Sequence, residues 1–204
     1  TRLHAEGKPE EIVRLLHRAI TKCAVIIIPV MFFLLAMAPE LMRLLYGSSY
    51  SDSAAPFRVY LMLLPIRTVT FGAVLMATGN SHHVLIQSVL TLVANAVLMS
   101  FAIRALGAIG AAVATVAVVY IVALPYLLIV FRKVLKCSIV GLFPYGSLAK
   151  TVIAGITGFL VAFAAKGVVQ SRSDLLVVSV ATVAFTVVAS FVLWKFGLVS
   201  PPCI

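Results

Sequence analysis

Acidic residues are almost missing from this sequence. Six Asp and Glu stand against sixteen Lys and Arg among 204 residues, and charged residues of all kinds make up only 11% of the chain. Ordinary soluble domains carry roughly 25%. The acids fall outside the apolar stretches or at their edges, so neither a carboxylate pair for general acid–base work nor a proton relay through Asp or Glu is expected. Cysteine is equally scarce. Cys23, Cys137 and Cys203 lie far apart without metal-ligand spacing and read as small apolar filler. His82 and His83 are adjacent, do not share a helix face and lack a third ligand nearby, so no metal site is expected. No nucleophile–base constellation and no phosphate-cradling glycine loop is present, and the expectation is a protein that is not an enzyme and needs no cofactor. The formal charge of +10 lacks the basic-aromatic platform of a nucleic-acid binder.

Long apolar runs take the place of all this. Hydrophobic residues are 63% of the chain. Val84 to Ile103 gives twenty residues without a charge, and Ala105 to Phe131 gives twenty-seven. Each is long enough to cross a bilayer as a helix. The joint between them, Arg104 to Gly107, has room only for a tight turn, so the pair predicts an antiparallel membrane hairpin. Further apolar blocks repeat that unit. The fold class expected is an all-α integral membrane protein, a bundle of six transmembrane helices, with the basic residues at span ends meeting lipid phosphates.

Taken in order, residues 1–18 form an amphipathic interfacial segment or cytoplasmic loop, with Ile12, Leu15, Leu16 and Ala19 on one face and Pro9 at a first-turn position. Four spans follow, at about 19–38, 56–78, 84–103 and 107–131. A basic loop at 132–144 carries Arg132, Lys133 and Lys136, and two more spans run at about 145–165 and 175–194 before a short tail at 197–204. Pro39–Ala55 reads as an extramembrane turn with a short amphipathic continuation. Prolines punctuate the spans. Pro29 frees the Val25 carbonyl, Pro65 the Leu61 carbonyl and Pro125 the Ile121 carbonyl, which makes all three kink or hinge candidates. Gly107, Gly110 and Ala111 give the fourth span a small-residue face for close helix packing. Even span number puts both ends on one side, and ten flanking Lys and Arg against five favour a cytoplasmic N-terminus. The chain starts at Thr1 without a methionine, and a piece of a longer protein is expected.

Arg67 is the informative polar residue. It lies eleven residues into its span, roughly 16 Å of helix, near the centre of a bilayer core about 30 Å thick. An arginine there costs about 2.5–3.5 kcal/mol on insertion scales and seeks water or a polar partner. Asn95 and Tyr120 reach a similar depth in the next two helices, and Gln87 and Thr91 share a polar stripe with Asn95. One account is a cavity lined by Arg67, Asn95, Tyr120, Gln87 and Thr91 that draws in an anionic substrate. The other is structural, with Arg67 capping carbonyls freed by Pro65 or bonding to Asn95, and Asn95 joining helices.

The order EGKPEEIVRLLHRAI, APELMRLLYGSSYSDSA, MATGNSHH, an embedded Asn95 and then RALGAIGAAVAT resembles the later half of bacterial polysaccharide and lipid-linked oligosaccharide flippases. These belong to the superfamily that includes multidrug and toxin extruders. The resemblance covers residues 1–135 in pattern and 136–204 in hydropathy. It implies part of the C-terminal lobe plus the last two helices of a fourteen-span transporter, resident in the bacterial cytoplasmic membrane and working by alternating access. It further implies membrane lipids, an anionic polyprenyl-phosphate-linked sugar, the missing N-terminal half and a coupling ion as partners, and no nucleic acid. A cation-coupled multidrug extruder and a non-transporting structural subunit are the alternatives.

Overall fold

The computed structural model describes residues 9–68, 72, 75–76, 79–135, 143–169 and 174–197. Among them the chain is helical nearly throughout, with no strand. Four helical stretches are long and apolar enough to cross a membrane: Val13–Tyr46, Ser81–Val134, Tyr145–Gly167 and Leu176–Lys195. These are the marks of a multi-pass membrane protein. The chain divides into two compact units, one of Thr1–Cys23 with Pro65–Pro144 and the other of Ala24–Leu64 with Tyr145–Ile204.

Helix α1, Pro9–Tyr46, is continuous over 38 residues, roughly 57 Å at the usual rise. Residues expected as an interfacial segment, a span and an extramembrane turn thus share one stretch of helical hydrogen bonding. Leu16, Ile20, Ala24, Ile28 and Met31 are its buried stripe, and the spacing of four and then three keeps one helix face inward. Leu15, placed on that face by the sequence reading, points out instead. The helix stops at Gly47, whose φ of 89° is open only to glycine at low cost, and a 3-10 turn at Ser48–Ser53 follows.

In the second unit, α1 from Ala24 onward packs with α6 (Tyr145–Val169) and α7 (Asp174–Lys195). Ala36, Met37, Ala162, Ala181, Phe185 and Ala189 form the core, with Phe33, Leu41 and Phe159 against it. Alanine and glycine bring the backbones close, and phenylalanine rings fill what remains. A Cβ on Gly158 would lie 2.5 Å from the Phe185 ring, and one on Gly155 would run into Phe32. With no water to expel between helices in lipid, this intimate van der Waals fit carries the association.

Pro39 shows how the second unit accommodates a missing amide. Without that N–H the Leu35 carbonyl loses its helical partner. Arg58 of α2 (Ala54–Leu61) supplies one, its Nε donating to Leu35 O at 3.2 Å. Beyond α2 the expected second span is interrupted. Met62 and Leu63 donate back to Val59 and Tyr60 in 3-10 fashion, and a fresh turn, α3, runs over Leu64–Arg67. The discontinuity falls immediately before Pro65, where the ring excludes a normal helical bond. Residues 69–71, 73–74 and 77–78 of that expected span lie outside the described residues.

The first unit is built on the hairpin. Helical hydrogen bonding runs over Ser81–Val118 (α4), through a π turn at Val119–Ala123, into α5 at Leu124–Leu135. Straight, the 54 residues of Ser81–Val134 would extend roughly 81 Å, far beyond a bilayer. They do not run straight. Gly107 adopts φ 60°, ψ −138°, and the chain reverses there. Three contacts nest about the turn: Ala102 against Gly110, Asn95 against Thr115, and His83 against Tyr126. The antiparallel hairpin expected from the charge-free runs is therefore present. Gly110 must be glycine, because a Cβ would enter the Ala102 carbonyl. The π turn is the answer to Pro125: the Leu124 N–H reaches five residues back to Val119, absorbing the register that the proline disrupts.

Candidate functional site

Two groups of polar side chains are held within these apolar helices. The first follows the hairpin seam. Thr91 donates to the Gln87 carbonyl at 2.7 Å and accepts from Gln87 Nε2 at 3.0 Å, so this pair satisfies itself on one arm. Thr115 has one hydroxyl proton, and the Ala111 carbonyl at 3.0 Å is a better acceptor than Asn95 Oδ1 at 3.4 Å. With the proton committed to Ala111, the Asn95 amide bridges the arms by turning its NH2 toward Thr115 Oγ1, since the two ends of an amide are interchangeable assignments. Nearer the open end, His83 Nδ1 and Tyr126 OH are 3.1 Å apart, which closes the hairpin a second time. Asn95 and Thr115 thus link the two arms of the hairpin. Ala111 supplies both a small packing face and the carbonyl for Thr115.

Arg67 ends α3 with its side chain exposed. Among the described residues it has no hydrogen-bond or ion-pair partner, Asn95 included. Thr68 beside it caps the end of α3 and not the Leu61 carbonyl that Pro65 frees. That residue is buried and donates from both Oγ1, at 2.6 Å, and its backbone N–H, at 3.2 Å, to the Pro65 carbonyl. Tyr120 sits inside the π turn and is partly exposed. Of the five cavity candidates, then, Gln87, Thr91 and Asn95 each make a side-chain hydrogen bond within the hairpin, and Arg67 is exposed. Pro29 leaves α1 unbroken, whereas Pro65 and Pro125 each coincide with a change of helix type.

The second group escaped the sequence reading. Glu40 is 3% exposed and lies inside a stretch that qualifies as a span. Lys166 Nζ sits 2.6 Å from its Oε1, and Arg43 Nη2 3.5 Å from the same oxygen. Oε2 is buried and accepts no hydrogen bond among the described residues. Sequence placed Glu40 in the extramembrane turn that begins at Pro39 and Lys166 in the loop after Ala165. Both belong to helices that run on further, α1 to Tyr46 and α6 to Val169. The available signal was the i,i+3 spacing of Glu40 and Arg43, which announces a local pair. Nothing along the chain announces Lys166.

No protein-family model matches this sequence, and no curated protein or solved structure shows significant similarity to it. Among the described residues no group of three His, Cys, Asp or Glu is gathered to hold a metal ion.

Proposed function

We propose that this chain is part of a membrane transporter. It would contribute six spans to a lobe that flips or exports a lipid-linked oligosaccharide or polysaccharide precursor by alternating access. The observation that carries the reading is the broken helix at Met62–Leu63 followed by the outward Arg67. In a bilayer, broken backbone is tolerated only inside protein or along a water-filled cavity. A guanidinium at that depth belongs in the same setting, and discontinuous helices are how many transporters build a midplane binding site. Arg67 would there attract the phosphate of a polyprenyl-linked sugar. The resemblance in residues 1–135 supports the substrate class, and the Lys and Arg flanks support a cytoplasmic N-terminus in the bacterial inner membrane.

The test is flipping of lipid-linked sugar by the reconstituted full-length protein, with and without Arg67→Ala. Absence of flipping by the intact protein rejects the transport reading. Undiminished flipping in the variant removes Arg67 from the mechanism.

A cation-coupled multidrug extruder is favoured by one observation, the buried Glu40 with an oxygen that no described group partners. Such an enclosed carboxylate is the sort of group that ion coupling uses. Under that reading Glu40→Gln abolishes ion-gradient-driven efflux of a cationic dye. Under the flippase reading no dye is extruded by either form.

A further inference from the structure

A cleft runs between the two arms of the hairpin. Ala94, Val97, Leu98 and Phe101 line it from one arm, and Ala117, Val118, Ile121 and Val122 from the other. Its volume is about 360 Å3, within the range of small-molecule sites, and no polar side chain contributes to the wall. The floor is partly alanine, and the rim is bulky and open, with Phe101 67% and Ile121 72% exposed. The shape is a trough that takes a long apolar chain.

Charge decides which chain. Arg104 lies three residues beyond Phe101 and seven beyond Val97, so it continues the same helix face about one turn past the cleft. It stands next to the turn at Gly107, twenty residues from Val84, which places it at headgroup depth when the arm crosses a bilayer. The side chain is exposed, and the hairpin from Ser81 to Leu135 contains no Asp or Glu with which to pair it. An apolar trough ending in an uncompensated cation complements an anionic amphiphile.

We propose that the hairpin binds an anionic phospholipid, with one acyl chain in the Phe101–Ile121 cleft and the phosphate at Arg104. This site is separate from Arg67 and does not depend on the transport reading. The tie between helix and lipid is specific, in contrast to the exchange of lipid over bare apolar surface, because trough and cation coincide on one helix face.

The experiment places a single tryptophan in the cleft. Trp194 is the chain's one tryptophan, so Ile121→Trp is made in a Trp194→Phe background, and Leu92→Trp, an exposed position outside the cleft lining, is its control. The full chain is reconstituted in vesicles of phosphatidylcholine and phosphatidylglycerol, with bromine on the acyl chains of one lipid or the other. One interfacial cation is worth about fivefold in preference for an anionic lipid. At Ile121→Trp, brominated phosphatidylglycerol is therefore expected to compete about fivefold better than brominated phosphatidylcholine. At Leu92→Trp the two are expected to be equal. Adding Arg104→Gln abolishes the preference at Ile121→Trp, and Arg104→Lys keeps it. Equal quenching by both lipids at Ile121→Trp overturns the proposal, as does the same anionic preference at Leu92→Trp or its survival in Arg104→Gln. Lack of quenching by either lipid shows a protein segment or second copy covering the cleft, and overturns it too.

Discussion

Removing Lys166 is expected to damage this protein far more than removing the carboxylate it meets. Both groups form one ion pair at 2.6 Å, but Glu40 is enclosed, with a side chain 4% exposed, while that of Lys166 is 28% exposed. Lys166→Met leaves a buried carboxylate with only Arg43 at 3.5 Å. Stranding a charge in this way costs about 3–5 kcal/mol for fully buried pairs. The partial exposure of Lys166 screens the interaction, and a loss of about 2–3 kcal/mol follows. Glu40→Gln leaves the stranded charges on Lys166 and Arg43, whose long, partly exposed chains turn to water, so about 1 kcal/mol is expected. The double variant Glu40→Leu/Lys166→Met removes the close pair and its desolvation, leaves the partly exposed Arg43 to turn to water, and stays within about 1 kcal/mol of the parent. Reversible unfolding of the full chain in mixed micelles by rising SDS fraction, followed by far-UV circular dichroism, measures all three. Equal losses in the two single variants would refute the argument from unequal exposure. A double variant as unstable as the sum of the singles would refute the argument from stranded charge.

Gly110→Ala forces a methyl group into the Ala102 carbonyl and is expected to lower stability by about 1–3 kcal/mol in the same unfolding assay. Gly146→Ala, with open space around its α-carbon, is the neutral control. Gly107→Ala places a Cβ on a residue with φ of 60° and costs about 1–3 kcal/mol of strain, read as a lowered midpoint in the same titration. Arg58→Met removes the donor to Leu35 O and costs about 0.5–1.5 kcal/mol. Pro39→Ala restores the missing amide, so in that background Arg58→Met should cost nothing measurable. Single cysteines at Asn80 and Gly107, the two ends of one hairpin arm, should be labelled by an impermeant maleimide from opposite faces of the membrane. Labelling of both from one face would mean that the arm does not span.

The hairpin was legible residue by residue. Two charge-free runs and a glycine joint leave the backbone no choice in lipid but helix, reversal and helix, since every amide must be satisfied within its own segment. The consequences of Pro65 and Pro125 were legible for a like reason, because a proline deletes a known bond at a known place. Pro39 was equally visible, yet its partner was not: Arg58 lies 23 residues away from Leu35 along the chain, and only folding brings it there. Arg67 drew attention by its depth, whereas Glu40 drew none because its importance depends on being enclosed.

Membrane character, helical class and the turn at Gly107 therefore follow from composition and local stereochemistry alone. Each concerns one segment and its solvent. The pairing of Glu40 with Lys166, the Asn95–Thr115 bridge and the Phe185 ring against Gly158 belong to tertiary structure. They are set by which faces of separate helices meet. In nearly uniform apolar helices, hydropathy leaves that rotation almost undetermined, and fit between small residues and rings decides it.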